Sequence, residues 1–411
     1  MALNDSSFTL SNGLRCFTRH EPSVKAVSLL VDVYAGSSDD DIHYAGEHHA
    51  FEHLPFRGTH KFPDNFKLTN PLEKYSAALN ANTGFRRTRY FVTLPSRAVE
   101  VGAEHLPDLV FNPLLRAEDW EKEMNVVLQE WESCRQRPGS VMSDEVFAKS
   151  FPGTPWSFTP IGHYEAIKRL NIDRLRKIHQ RDYTVENCHV IAAGNLPPSL
   201  QDILEKWFGS LEIPHGIDCR GRMSEQPVEL NPWSFSNALF KQPVISAFAY
   251  FPKGNTRRED AAQELANMML SEGFSSPLFQ ELRVNKNLAY AFDLDCSALS
   301  PHLEVVGMST NSSVCTGEQL LGILQDCVDK TVDNWDRFDF VKTAKLSDMD
   351  MHVFRAGWEC NRIANNLLAM REVETHQDVV DRYESITFEE VRQAMLHFFD
   401  TSKFTHVTGR L

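Results

Sequence analysis

The sequence contains no long apolar segment and no closely paired cysteines. No hydrophobic run approaches the 18 residues of a transmembrane helix, so no membrane-spanning helix is expected. The eight cysteines are scattered without a C-x-x-C pair, which is typical of reduced thiols in a cytosolic protein. Residues 1–13 lack the basic and apolar parts of a secretory signal. We therefore expect a cytoplasmic protein.

Blocks of like charge are also missing. The net charge is −14 and no five consecutive charged residues share a sign, which argues against nucleic-acid binding. Hydrophobic residues make up 42% of the chain and aromatic residues 10%, as in a packed globular protein. Because 411 residues exceed what one ordinary core can organise, two domains of about 200 residues each are expected.

Both helical and strand periodicities occur, which indicates an α+β protein. In the first half we predict a hairpin turning at Asn12-Gly13, then a mixture of helices and strands. The predicted elements are a hairpin over 7–20, a strand over 25–35, a helix over 71–80, a strand over 88–94, and helices over 97–111, 117–136 and 163–181. In the second half the pattern predicts strands near 244–251, 288–297, 303–310 and 404–410, with helices between them.

A faint internal repeat relates the two halves. The segments LRKIHQRDYTVENCHVIAAGNL and VRQAMLHFFDTSKFTHVTGRL both read as helix, turn and strand, and both end in Gly-x-Leu. The polar stretch 213–232 between them has the composition of a linker. The sequence therefore predicts one domain over 1–212, a linker over 213–232, and a second domain over 233–411.

One short motif carries chemistry: His49-Ala50-Phe51-Glu52-His53. In a helix, residues three and four apart share a face, so His49 and His53 could bind one ion with Glu52 beside them. Catalytic zinc takes such nitrogen ligands and keeps a position for water, whose proton the carboxylate can accept. The order H-x-x-E-H is the inverzincin signature. The alternative is a chance match in a chain with sixteen histidines.

A third zinc ligand has to come from elsewhere in the chain. Glu123 and Glu130 lie seven residues apart on a predicted helix, so they share a face. Such carboxylates are usually solvated, but apolar residues flank this pair. Glu130 is therefore the candidate third ligand, with Glu123 as a supporting carboxylate behind it.

Taken together, these residues resemble the M16 metallopeptidase family, the group of pitrilysin, insulin-degrading enzyme and mitochondrial processing peptidase. The stretch GEHHAFEH followed by FRGT is similar to the family block G-x-x-H-x-x-E-H…F-K-G-T. Glu130 falls at the spacing of the family's third zinc ligand, and Glu123 matches a further family glutamate. The resemblance covers nearly the whole chain, and it implies two tandem homologous α/β-sandwich domains, each an antiparallel-type sheet covered by helices.

Two further blocks carry the resemblance. Asn80-Ala81-Asn82-Thr83 resembles the family's N-A-x-T strand, which implies that Asn80, Ala81 and Thr83 bind an extended peptide. The block 271–290 is similar to a family block with an arginine and a tyrosine seven apart, here Arg283 and Tyr290. Without the block match, these two would be a surface charge and a strand aromatic. The sequence departs from the family at Arg86, commonly acidic there, and at Pro55 and Pro277.

The resemblance implies a zinc metalloendopeptidase with one Zn²⁺ per chain, held by His49, His53 and Glu130. Glu52 would be the general base, while Tyr290 and Arg283 would bind substrate and stabilise the transition state. Long family members form a clamshell of which this chain is half, so we expect a homodimer, or a heterodimer with a related subunit. In either dimer, Tyr290 of one subunit would complete the other subunit's site. The alternatives are a non-catalytic scaffold subunit and a zinc hydrolase of non-peptide substrates.

Overall fold

The computed structural model describes residues 6–222, 225–254, 256–351 and 355–411. Within these ranges the strands are β1 Ser6–Thr9, β2 Arg15–His20, β3 Ala26–Val33, β4 Ala78–Thr83, β5 Thr88–Pro95, β6 Cys188–Gly194, β7 Trp233–Ser236, β8 Val244–Pro252, β9 Phe292–Ala298, β10 Leu303–Asn311 and β11 Thr405–Arg410. The helices are α1 Glu47–His53, α2 Asn65–Glu73, α3 Val99–Phe111, α4 Ala117–Cys134, α5 Pro138–Ser150, α6 Tyr164–Ile167, α7 Ile172–Asp182, α8 Leu200–Leu204, α9 Arg257–Ser271, α10 Pro277–Phe279, α11 Gly317–Thr331, α12 Trp335–Met351, α13 Ala356–Leu368, α14 His376–Ser385 and α15 Phe388–Phe398. Across the described ranges, every helix is too short or too polar to cross a membrane.

The chain divides into two compact units, each built on one sheet. Unit 1 comprises Met1–Ser133, Gly153–Arg222 and Phe354–Val373, and unit 2 comprises Cys134–Pro152, Met223–Val353 and Glu374–Leu411. Each unit therefore contains one segment from the other half of the sequence. The predicted division of the sequence into a domain over 1–212, a linker over 213–232 and a domain over 233–411 stays a prediction.

The sheet of unit 1 has six strands in the order β1-β2-β6-β3-β5-β4. Strands β2 and β6 run parallel, and the other neighbours are antiparallel. Strand β3 is almost wholly apolar and lies in the middle of the sheet, where both faces are covered. One face packs on α1 and α3 through a core that includes Phe51, Tyr90 and Leu106. Strand β4 is the edge strand nearest α1.

The sheet of unit 2 has five strands in the order β7-β11-β8-β10-β9, with β7 and β11 parallel and the other pairs antiparallel. This is the same order as β2-β6-β3-β5-β4 in unit 1 when each set of strands is taken in chain order. The α+β class with two tandem domains of like topology is thus confirmed. The faint repeat at residues 196 and 411 corresponds to β6 and β11, the equivalent strands of the two sheets.

The second face of each sheet is covered by a helix from the other half of the sequence. In unit 1, α13 lies on β3 and β6, where its Ile363 and Leu367 pack against Leu30 and Ile191. In unit 2, α5 contributes Val141 and Met142 to a cluster with Phe240, Phe248 and Val407, three further residues of that unit. Each sheet is therefore sandwiched between helices on both faces, as a two-sided core requires.

The helix predicted over 71–80 is wrong. Helix α2 instead spans Asn65–Glu73, capped at its start by the Asp64 side chain, and β4 follows at Ala78–Thr83. The helix predicted over 163–181 is two helices, α6 and α7, and Asn171 caps the second of them. The predicted hairpin, the motif helix and the strands β3, β5, β8 and β10 are confirmed.

Candidate metal centre

The start of helix α1 is fixed by backbone contacts. Gly46 precedes the helix with φ of 101°, a conformation that favours glycine, and a Cβ there would lie 2.9 Å from the Ile161 carbonyl oxygen. Gly162, also at positive φ, faces it and leaves no room for a Cβ either. The Asp40 carboxylate accepts hydrogen bonds from the Gly46 amide at 2.6 Å and the His48 amide at 3.2 Å. These contacts set where the motif residues project.

Helices α1 and α4 bring His49, His53 and Glu130 together. Glu130 Oε2 lies 3.2 Å from His53 Nε2 and 3.7 Å from His49 Nε2. The possible ligand atoms of the three side chains all lie within 4.8 Å of one another. The two imidazole rings are one turn apart on α1, with centroids separated by 4.8 Å. The structure thus gathers the three predicted ligands, which are 81 residues apart at their extremes, around one point.

Glu123 and Arg57 support this group from behind. Glu123 Oε1 lies 3.2 Å from His53 Nδ1, and the Arg57 guanidinium donates to Glu123 Oε2. Burial disfavours a charge on His53, but its hydrogen bonds with Glu123 and Glu130 outweigh burial and raise its pKa to about 9 in the metal-free protein. Sequence analysis gave Glu123 a supporting position and missed Arg57. The signal for Arg57 was its place four residues after His53, one helical turn on.

Glu52 projects beside the two histidines and is held by β4. Its side chain is largely buried, and the Thr83 hydroxyl donates a 2.5 Å hydrogen bond to Glu52 Oε2. Burial raises the pKa of Glu52, and the Thr83 hydrogen bond partly opposes that rise. A cleft next to this carboxylate is lined by Glu52, His53, Phe56, Arg57, Asn65, Leu79, Asn80, Glu123 and Val126. A carboxylate with a raised pKa at the wall of a cleft is suited to proton transfer.

The three candidate substrate-binding residues of β4 differ in their surroundings. Asn80 is exposed and lines the cleft with Glu52, whereas the Ala81 side chain is buried in the core. Thr83 contacts Glu52 itself. Strand β4 pairs with β5 along one side and, within the described residues, with no strand along the other. Its outer edge can therefore offer backbone groups to an extended peptide.

Arg283 and Tyr290 lie together in unit 2. The Arg283 guanidinium stacks over the Tyr290 ring at 4.3 Å and over the Phe279 ring at 5.2 Å. The Tyr290 side chain is 79% exposed and borders a cleft formed by residues of β9, β10 and their neighbouring loops. Arg283 and Tyr290 therefore lie together in unit 2, and the other candidate site residues lie in unit 1.

The donor set fits a zinc ion. Two imidazole nitrogens and one carboxylate oxygen are the ligands of the His₂Glu type of catalytic zinc site, in which a fourth position takes water. His49 Nε2 points toward Glu130 and is the candidate ligand atom of that ring. The other ring nitrogen, Nδ1, is buried and has no hydrogen-bond partner among the described residues. His53 has the carboxylate behind its ring that metal-ligating histidines usually have. The residues present therefore match the group that the motif predicts.

His48 belongs to a separate buried network. Its Nδ1 lies 2.5 Å from Asp40 and its Nε2 lies 3.1 Å from Asp182, and all three side chains are buried. Although burial alone would lower it, these hydrogen bonds raise the pKa of His48 to about 10. Asp40, Glu47 and His48 could be mistaken for a second metal site. Glu47, however, is paired with Arg174, and an imidazolium between carboxylates is a structural ion pair.

We expect His48→Gln to destabilise the metal-free protein by about 3–5 kcal/mol at pH 6.5, because the buried Asp40 carboxylate loses its cation and Asp182 keeps only Arg181. Since the folded pKa of His48 is raised to about 10 from an ordinary 6.5, its stabilisation is complete below pH 6.5 and is lost as the pH rises toward 10. Urea unfolding at pH 6.5 and 9.5 measures the difference from wild type, with the exposed His60→Gln as control. A difference that does not shrink with pH contradicts a charged His48.

Comparison with known sequences places the chain in a family. The sequence model of "Insulinase (Peptidase family M16)" matches residues 15–159, and that of "Peptidase M16 inactive domain" matches residues 169–344. A zinc protease of Mycobacterium leprae is 28% identical over 69% of this chain and 64% of its own length. A mitochondrial-processing peptidase subunit beta of Lentinula edodes is 29% identical over 53% of this chain and 47% of its own.

Solved structures share the fold. A protease from Helicobacter pylori superposes with a TM-score of 0.87 at 18% identity, covering 99% of this chain and 100% of that one. Pitrilysin gives a TM-score of 0.78 at 19% identity, with 99% of this chain covering 44% of that one. The chain belongs to peptidase family M16.

Proposed function

We propose that the protein is a zinc-dependent endopeptidase that hydrolyses peptides or small unfolded proteins. The observation that carries this proposal is the convergence of His49, His53 and Glu130, with the Glu52 carboxylate beside them at the wall of a cleft. The zinc proteases and processing peptidase subunits among its relatives support it. The second family model, described as an inactive domain, matches residues 169–344, whereas the proposed ligands lie in the part matched by the first.

In this proposal, His49, His53 and Glu130 hold one Zn²⁺ per chain. When bound, zinc supplies Lewis acidity, which lowers the pKa of a water ligand from 15.7 to about 7. Glu123 holds the His53 ring in the orientation that presents Nε2 to the ion. The spacing of residues in the sequence suggested the three zinc ligands. The contact between Glu123 and His53 is the reason for assigning Glu123 the role of orienting the His53 ring.

Glu52 moves the proton. Because Thr83 donates to Glu52 Oε2, the free oxygen for proton transfer is Oε1. Glu52 accepts a proton from the water that adds to the peptide carbonyl carbon, and it then gives this proton to the departing amine nitrogen as the C–N bond breaks. The raised pKa of Glu52 brings it closer to the operating pH than an exposed glutamate would be.

The substrate is proposed to bind as an added strand on β4. Backbone pairing at an open edge gives affinity with little demand on sequence, which suits a peptide in extended form. Asn80 lines the cleft beside Glu52, and Ala81 would contribute its backbone, since its side chain is buried. Arg283 and Tyr290 are proposed to bind the substrate and to donate to the oxyanion that forms during attack.

The test is zinc content per chain combined with cleavage of a fluorophore-quenched peptide. We expect one zinc per chain, loss of cleavage after chelation, and recovery when zinc is added back. A protein that binds no zinc and cleaves no peptide overturns the proposal in favour of a scaffold subunit. A protein that binds zinc without cleaving peptides, but hydrolyses other substrates, would instead be a zinc hydrolase of a different class.

The same proposal includes a dimer in which unit 2 of one subunit completes the site of the other. This chain covers 44% of pitrilysin, so two copies would approach the length of the long structure. A homodimer is favoured because the metal-binding residues and the Arg283–Tyr290 pair occur on one chain. A heterodimer with a related subunit is the alternative, and the name of the processing peptidase relative includes the word subunit.

Mixing two inactive variants tests this arrangement. We expect Glu52→Gln co-expressed with Tyr290→Phe to recover about a quarter of the wild-type activity. In a two-fold dimer, about half of the random pairs are mixed and each mixed pair has one intact site. Glu52→Gln co-expressed with His53→Ala is the matched control and should recover nothing, because both changes fall in unit 1. No recovery in the first mixture would show that the site is not completed by the partner.

A further inference from the structure

Arg57 is the one arginine or lysine among the described residues that line the cleft beside the proposed zinc ligands. It ends the short 3-10 turn Leu54–Arg57 that continues from α1, one turn beyond His53. Its Nε donates to Glu123 Oε2, while Glu123 Oε1 meets His53 Nδ1 at 3.2 Å. The two oxygens of one carboxylate therefore connect Arg57 to His53.

We propose that Arg57 is a positioning residue for zinc binding, acting on His53 through Glu123. This inference rests on the proposed function. Arg57 does not need to touch the ion: its guanidinium fixes the plane of the Glu123 carboxylate, and that plane fixes the direction in which His53 presents Nε2.

The physical basis is the rotational freedom of a carboxylate. A glutamate side chain turns broadly about its last bond, so one hydrogen bond to His53 would not hold Glu123 in a single orientation. A second, charge-assisted bond from a planar guanidinium removes that freedom. The side chain of Glu123 is 8% exposed and that of Arg57 is 33% exposed, so the bond is better shielded from water than an ordinary surface ion pair.

The competing explanation is that Arg57 forms a surface salt bridge of no consequence for the site. Such pairs contribute little to stability. The start of helix α4 offers a matched comparison, because Arg116, the residue before the helix, pairs with Asp119 at 2.5 Å and the two side chains are 35% and 11% exposed. Neither Arg116 nor Asp119 contacts a proposed zinc ligand within the part of the chain that the structure describes. A general effect of removing an arginine should therefore appear equally in Arg116→Gln.

The experiment measures the zinc dissociation constant of the full chain by competition with a chelator. We expect Arg57→Gln to weaken zinc binding about tenfold, at the low end of the 10- to 100-fold range for residues that support metal ligands. Arg57→Lys, which keeps a cation, should restore most of the affinity. Arg116→Gln should leave the affinity unchanged. A cooperative thermal unfolding transition, measured for each variant without metal, is the control that the variant is folded.

A double-mutant cycle with Glu123→Gln decides the route of the effect. If Arg57 acts through Glu123, the tenfold loss caused by Arg57→Gln should disappear when Glu123 is already glutamine. An undiminished loss in that background overturns the inference, as does wild-type affinity in Arg57→Gln. In both cases the wild type still binds zinc, so the proposed function stands. A wild-type protein that binds no zinc overturns the inference together with the proposed function.

Discussion

Glu52→Gln is expected to keep one zinc per chain and to lose about 10²- to 10⁴-fold in kcat, the range attributed to a general acid–base group. Glutamine has the shape of glutamate and can still accept the hydrogen bond from Thr83, so the wall of the cleft should be unchanged. It cannot accept a proton from water at neutral pH. Zinc content measured alongside peptide cleavage separates the loss of proton transfer from the loss of metal.

The matched control is Glu121→Gln, which removes the same charge from an exposed position on α4. We expect this variant to cleave peptides at the wild-type rate. If Glu52→Gln loses its zinc together with its activity, Glu52 is a ligand or a structural residue and the assignment of the base is wrong. If Glu52→Gln retains wild-type kcat, another group carries the proton.

A fragment of residues 1–222 is expected not to fold into a stable unit, although it contains all six strands of the first sheet. The fragment lacks α13, whose buried side chains include Cys360, Ile363 and Leu367. Burying each large apolar side chain contributes about 1.5–3 kcal/mol, and a whole domain is stable by about 5–15 kcal/mol. Losing this helix therefore removes a large part of the stability of unit 1.

The fragment's circular dichroism and its binding of a hydrophobic dye measure this outcome, and co-expression with residues 223–411 should restore folding. A gentler test uses two positions on α13 itself. Ile363→Ala should destabilise the full chain by about 2–5 kcal/mol, because Ile363 is fully buried. Trp358→Ala, at a residue 57% exposed, should change stability by less than about 0.5 kcal/mol. Cooperative unfolding of the 1–222 fragment alone would contradict a structural role for α13.

The exchange of α5 and α13 between the units shows a limit of sequence reasoning. The amphipathic pattern of α13 predicts that one face is buried, but it does not state which sheet lies beneath that face. The polar contacts that pair the helix with the first sheet, such as Arg89 with Asn361 at 2.6 Å, join residues 272 positions apart. No local signal in the sequence connects them.

Strand β4 shows a different limit. Its sequence, ALNANT, has no aromatic residue and only one β-branched residue, Thr83, so the helix predicted over 71–80 reached into the first three positions of the strand. It forms a strand because its backbone pairs with β5 from Ala78 to Thr83. The neighbouring strand TRYFVTLP alternates buried and partly buried residues, and its position was predicted correctly.

The residues of the candidate site were more accessible to prediction than their supports. The spacing of His49, Glu52 and His53 predicts that they share one face of a helix. Glu130 was assigned with the help of the family resemblance. The pairing of His48 with Asp182 spans 134 residues, and its role follows from burial, which the sequence does not state. Arg57 lay inside a recognised block without any assigned task.

The close contact between Gly46 and Gly162 limits how far helix α1 can shift. The two segments meet backbone to backbone, and a Cβ at either glycine would lie within 3 Å of a backbone atom of the other segment. In mechanical terms, this contact is a fixed stop at the start of α1, whereas the side chains of Leu79 and Val126 at the wall of the cleft are partly or largely exposed. Laboratory evolution of the cleft should therefore tolerate substitutions around Leu79 and Val126, while positions 46 and 162 remain glycine, because even one methyl group at either would displace the helix that carries both histidines.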